Sequence, residues 1–269
     1  MKKSTIRIII TALVLITIGI GLFVGGVVAV GGIAAARAGL AHHGVYLDDG
    51  FYIDIHRGSN SVKHSDMEIL EFDIQDVRKV EMELAASEVE IRNVDASEKH
   101  LSVSTNGKYE IYTKEGVLHI EKERGTEDDQ LILEVPANMV FESVEISAGA
   151  SVIQIDYLET KEFDAEIGAG EMIVNDLQAD QTELEIGAGE VIIDYANVQT
   201  CEISVGMGNA EICLAGEEED YNYEIDCVAG NIDIGNESFG GIASEKIINY
   251  HADADIKIEC GMGNVTIGF

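Results

Sequence analysis

Gly149-Ala150-Ser151-Val152-Ile153-Gln154-Ile155, Gly168-Ala169-Gly170-Glu171-Met172-Ile173-Val174, Gly187-Ala188-Gly189-Glu190-Val191-Ile192-Ile193, Gly206-Met207-Gly208-Asn209-Ala210-Glu211-Ile212: between Val144 and Leu214 one pattern is written four times. Its third position falls at Ser151, Gly170, Gly189 and Gly208, 19 residues apart each time. A fixed period near 20 with one strand-turn-strand unit per repeat is the signature of a solenoid, in which each unit buries its apolar face only by stacking on its neighbours. The fold expected is therefore all-β, a parallel β-solenoid-like stack of ~19-residue repeats.

Looser copies lie on either side. Val228-Ala229-Gly230-Asn231-Ile232-Asp233-Ile234 follows after 22 residues, and Gly261-Met262-Gly263-Asn264-Val265-Thr266-Ile267 after 33 more. Upstream, Ala85-Ala86-Ser87-Glu88-Val89-Glu90-Ile91 fits, and Thr105-Asn106-Gly107-Lys108-Tyr109-Glu110-Ile111 fits more loosely. Strand side chains alternate between faces with period 2. Two apolar columns follow from that period: Ile153, Met172, Val191, Ala210, Ile232 and Val265; then Ile155, Val174, Ile193, Ile212, Ile234 and Ile267. Before each turn, Ile146, Ala165, Leu184, Ile203, Ile225 and Ile258 form a third column. Ala148, Ile167, Ile186, Val205, Cys227 and Cys260 form a fourth. A tight corner needs φ > 0, so Gly170, Gly189, Gly208, Gly230 and Gly263 are expected to be structural turn residues that supply it.

The chain begins with Lys2, Lys3 and Arg7, followed by residues 8–36 without a single charge. As a helix with ~1.5 Å rise per residue this run reaches about 43 Å, more than the ~30 Å hydrocarbon core. A secretory signal has a shorter apolar core, although Ala34-Ala35-Ala36 would permit cleavage. Basic residues before the span place the N-terminus in the cytoplasm. The organisation expected is residues 1–7 cytoplasmic, 8–36 a transmembrane anchor, 37–70 a stalk and lead-in, and 71–269 an acidic β-repeat domain outside the cell. Localisation follows as the cell membrane, single-pass, with the C-terminal domain extracellular. Gly21 and Gly25 have the spacing that lets membrane helices pair, one of two routes to a homo-oligomer; the other is a strand edge left at Phe269.

The net charge is −33, and every Asp and Glu lies beyond Arg37. Nucleic acid and anionic lipid both require basic surface, so neither is an expected partner of the outer domain. Strands stack ~4.8 Å apart, and like carboxylates at that distance repel by roughly 1 kcal/mol per pair even in water. Lys114-Glu115-Gly116 reads as a hairpin turn, Phe51–Ile55 as a strand, and Leu131–Val135 as a strand stopped by Pro136, the chain's only proline. Glu217–Asp220 and Ser238–Tyr250 interrupt the period and read as exposed loops, where contacts to partners concentrate.

Chemistry-bearing patterns are few. The glycine-rich turns join strands and open no helix, which excludes a phosphate loop. The seven histidines are scattered without metal-ligand spacing. Glu166 and Glu185 share a column, as do Glu171 and Glu190, but glycosidases need two unlike carboxyls across a cleft. Glu171 and Glu190 beside turn carbonyls, continued by Asn209, are the candidate ligands for Ca²⁺, a hard cation that takes oxygen donors. Cys227 and Cys260 share the inward column of Val205 and could pair only if their coils are neighbours; as free thiols they act as small apolar filler.

The basic-then-apolar anchor, the strand ending Val135-Pro136 and the repeated Glu-Ile-Gly-Ala-Gly-Glu-Val/Met-Ile units resemble the putative-adhesin β-strand-repeat family, a domain of unknown function in membrane-anchored proteins of Gram-positive bacteria. The resemblance covers roughly residues 70–269. It implies a non-enzymatic surface protein that binds a surface or membrane protein or a wall polymer. An accessory role beside an envelope-stress sensor is the alternative it implies. A polysaccharide-acting enzyme is the third reading. No catalytic residue or cofactor carries over.

Overall fold

The computed structural model describes residues 45–47, 51–53, 67–122, 129–240 and 244–269. The chain divides into two units at Ser65/Asp66. The first contains the antiparallel pair β1 (Val45–Leu47) and β2 (Phe51–Ile53). The anchor expected at residues 8–36 lies outside the described residues. Among those described, no helix is long and apolar enough to cross a membrane.

The second unit is all-β. Its strands are β3 (Glu68–Asp73), β4 (Lys79–Leu84), β5 (Glu88–Val94), β6 (His100–Thr105), β7 (Glu110–Lys114), β8 (Val117–Lys122), β9 (Gln130–Pro136) and β10 (Phe141–Ala148). Three 16-residue strands follow: β11 (Val152–Ile167), β12 (Glu171–Ile186) and β13 (Glu190–Val205). Then come β14 (Asn209–Leu214), β15 (Tyr221–Cys227), β16 (Asn231–Ile234), β17 (Glu237–Gly240), β18 (Ser244–Ile248), β19 (Ala254–Cys260) and β20 (Asn264–Gly268).

The central repeats stack as the 19-residue period requires. β11 pairs in parallel with β12 along its whole length, Ile153 opposite Met172 and Ile167 opposite Ile186, and β12 pairs with β13 in the same register. Each long strand runs through both layers of the stack, its first residues in one sheet and its last in the other. All four apolar columns are buried in one continuous core. Burial at ~25 cal/mol per Å² of apolar surface makes these columns the main source of stability.

Towards both ends, spatial order departs from sequence order. β13 and β14 are followed in space by β19 and β20, the last coil of the chain. The coil of β15 and β16 comes only after that, pairing with the far side of β19 and β20. The final coil is thus inserted between two earlier ones. At the other end β4 and β5 sit between the β8–β9 coil and the β10–β11 coil.

Several expectations are corrected here. β20 is an interior strand, so the edge expected at Phe269 does not exist. Ser238–Tyr250 is not simply an exposed loop: β17 pairs antiparallel with β16, and β18 with β15, closing that end. Antiparallel strands at the rim end the parallel ladder, which blunts templated growth. β6, β7 and β3 do the same at the opposite end. Thr105–Ile111 is therefore not a coil copy, because β6 runs antiparallel to β9. The Lys114–Gly116 hairpin is present, with Glu115 at φ 54° and Gly116 at φ 88° as a tight hairpin turn demands.

The corner glycines also serve a different purpose from the one expected. Positive φ occurs at Gly116, Gly216 and Gly235, and not at Gly170, Gly189, Gly208, Gly230 or Gly263. What these five require is room. A Cβ on Gly189 would lie 2.5 Å from the Gly170 carbonyl oxygen and 2.9 Å from Ile167 Cγ2. The corners press directly on one another and hydrogen-bond in series: Gly187 N donates to Ile167 O, Ala188 N to Gly168 O, and Glu190 N to Gly170 O. Glycine is the residue that lets two backbones approach this closely.

Candidate functional site

Residues alternate in and out, so in-register stacking turns every outward position into a row. Three adjacent rows cover the sheet built from β8, β4, β10, the later halves of β11–β13, β19 and β15. The middle row reads His119, Glu81, Glu145, Asp164, Glu183, Glu202, Lys257, Glu224. Beside it runs Glu121, Glu83, Ser147, Glu166, Glu185, Ser204, Glu259, Asp226. On the other flank Glu162, Gln181, Thr200, Asp255 and Asn222 align. The sequence reading found single members of these rows, Glu166 and Glu185. It missed the surface because the flanking members come from coils inserted out of order.

Cations stand near the ends of the middle row. His119 Nδ1 lies 3.0 Å from Glu81 and its ring stacks on Tyr112 at 4.7 Å. Lys257 bonds Glu202 and lies 3.0 Å from Glu259. Burial works to lower the Lys257 ammonium, but its hydrogen bonds to Glu202 and Glu259 prevail and hold it at about 12. Between these cations Glu145, Asp164 and Glu183 follow one another. Burial, then Glu162, raises the Asp164 carboxyl above its ordinary range. Burial raises Glu185, followed by Glu166, Glu183 and Glu202, and it raises Asp226, followed by Glu259, Glu245 and Glu224. Unneutralised like charge is thus held in place by the backbone register. A groove of about 560 Å³ opens on this sheet, lined by Asp164, Glu183, Glu202, Asn222, Lys257 and Ile247.

The calcium candidates stand on the other sheet. Glu171, Glu190 and Asn209 do share one row, which continues through Asn264 to Asn231. Asn209 Oδ1 accepts a 3.0 Å hydrogen bond from Asn264 Nδ2, and Asn231 Nδ2 donates to Asp233 Oδ2 at 2.7 Å. Burial, then Glu190, raises the Glu171 carboxyl, and its Oε2 is buried without a hydrogen bond. Among the described residues no group of three or more His, Cys, Asp or Glu is gathered as a metal ion would require. The amides here form a hydrogen-bonded ladder along the solenoid corner.

A two-layer stack with inserted end coils, antiparallel rims and glycine corners defines a class of all-β repeat domain. Residues 51–268 match the Toastrack DUF4097 family, and the chain belongs to it. Comparison with curated proteins finds no match. Among solved structures, a "putative cell adhesion protein" from Clostridium sporogenes is 12% identical, over 75% of this chain and 98% of that one, with a TM-score of 0.37. A "putative adhesin" from Parabacteroides merdae is 11% identical, over 76% and 81%, with a TM-score of 0.42. A "putative lipid binding protein" from Parabacteroides distasonis is 13% identical, over 75% and 97%, with a TM-score of 0.38.

Proposed function

We propose that this Toastrack domain is a non-enzymatic binding module. Its working surface is the carboxylate-rowed sheet, and its partner carries fixed positive charge, as a basic protein segment or a cationic envelope polymer does. The uncharged run at 8–36 holds the domain at the cell membrane. One observation carries the reading: Glu145, Asp164 and Glu183 stand in register at strand spacing, without a cation among them. A partner that neutralises the row relieves this repulsion as it binds, so the favourable contact needs no change in the fold. Long-range attraction from the net charge of −33 speeds encounter and weakens with salt.

The experiment compares two neutralised variants in binding to poly-L-lysine. Glu145→Gln/Asp164→Asn/Glu183→Gln alters the rowed sheet. Asp156→Asn/Asp194→Asn/Glu211→Gln removes the same charge elsewhere on the stack. The first is expected to weaken binding at least tenfold, and the second no more than about threefold. Equal losses would reduce the effect to net charge and overturn the reading of a specific face.

A further inference from the structure

The inserted final coil brings two cysteines together that the sequence separates. Cys227 is the last residue of β15 and Cys260 the last of β19, and the two are direct partners in the parallel ladder. Both side chains point inward and are buried, at 0% and 2% exposure. Neighbouring parallel strands hold their Cα atoms ~4.8 Å apart, inside the ~4.4–6.8 Å that a disulfide spans. The two thiols lie within hydrogen-bonding reach of each other, and Cys260 Sγ also lies 3.2 Å from Gly263 O. Cys201 stands elsewhere, opposite Ile256, and Cys213 opposite Gly268.

We infer that Cys227 and Cys260 are a disulfide-forming pair that fastens the inserted final coil to the β15–β16 coil beyond it. β15 and β16 have no pairing to β13 or β14; β19 and β20 link them to the body of the stack. A covalent bond at this position therefore secures both terminal coils at once. The oxidant is a disulfide of the glutathione class. One protein thiolate attacks its S–S bond, releasing one glutathione thiol and leaving a mixed disulfide. The second protein thiolate then attacks the protein sulfur and releases the other glutathione. Two S–H bonds become one S–S bond, and one glutathione disulfide becomes two thiols. Burial, together with Cys227, pushes the Cys260 thiol up to about 11. The bond accordingly forms while the final coil is open, during folding or local unfolding, and not in the closed stack.

The test refolds the full chain in a reduced/oxidised glutathione buffer, then blocks free thiols with a maleimide under denaturing conditions. A Cys201→Ala/Cys213→Ala variant isolates the pair. A Cys260→Ala variant removes it, and Ala148 occupies the same inward column, so alanine fits there. The expected result is two protected thiols, a linked peptide pair containing Cys227 and Cys260, and a thermal midpoint raised by about 5–10 °C. Dithiothreitol reverses the rise, and Cys260→Ala abolishes it. Four reactive thiols after oxidative refolding, or a bond involving Cys201 or Cys213 instead, overturns the inference.

Discussion

At Gly189 the fold has no tolerance for a methyl group. A Cβ there meets the Gly170 carbonyl and Ile167 Cγ2 inside van der Waals distance, and the corner cannot retreat because the next coil presses from the other side. Gly189→Ala is expected to cost about 2–3 kcal/mol, the range of overpacking in a closed core. Gly268→Ala, where nothing lies within 4 Å of the added carbon, is expected to stay within about 0.5 kcal/mol of the parent. Denaturant unfolding of the two variants checks the contrast. These corners were legible in the sequence as a column of glycines, but the cause was not. Positive φ is a property of one residue, whereas close approach belongs to two coils, and a single repeat does not reveal how tightly it is stacked.

The strands themselves carry a pH dependence. Asp164, Glu171, Glu185 and Asp226 all titrate above the ordinary carboxylate range in the folded chain, first because of burial and then because of neighbouring carboxylates. Above pH ~4, where unfolded carboxylates lose their protons, the folded chain therefore binds more protons than the unfolded one. Stability from these groups rises as pH falls through that window and is lost as pH rises through their folded pKa values. Asp95 acts with the opposite sign, lowered by its hydrogen bonds from Ser97. With four groups against one, the thermal midpoint is expected to be higher at pH 5 than at pH 7. Added salt is expected to raise it more at pH 7 than at pH 5, because screening acts on the same repulsion. A calorimetric series with a midpoint that falls steadily from pH 7 to pH 5 would contradict this account. Strand alternation and the inward columns could be read from period 2 and period 19. The length of the acid rows could not, since Glu81, Glu145 and Glu224 enter them from coils that sequence distance does not place there.

At the scale of the molecule, the order of coils matters most, and it sets both the rowed face and the cysteine pair. Equal spacing predicts sequential stacking, and in the middle of the chain that is what forms. Where the spacing stretches to 22 and 33 residues, the chain leaves a slot empty, builds β15 to β18, and returns to fill the slot with β19 and β20. A signal for this was present. Gly206-Met207-Gly208-Asn209 recurs as Gly261-Met262-Gly263-Asn264, and these two corners are neighbours in space. Likewise Ala86-Ser87 and Ala150-Ser151 lie side by side, one beneath the other. Likeness between corners tracks adjacency better than chain distance does, because touching corners share the same steric demand.

Cross-linking of outward positions tests this order directly. In a chain whose four native cysteines are replaced by alanine, one variant carries Ser204→Cys and Glu259→Cys, and a second carries Ser204→Cys and Asp226→Cys. Ser204 is the direct partner of Glu259, while Asp226 lies one strand further on. Mild oxidation is expected to bond the first pair within one chain and to leave the second free. A bond between positions 204 and 226, with none between 204 and 259, would mean that the coils stack in sequence order. The rowed face and the cysteine pair would then fall together.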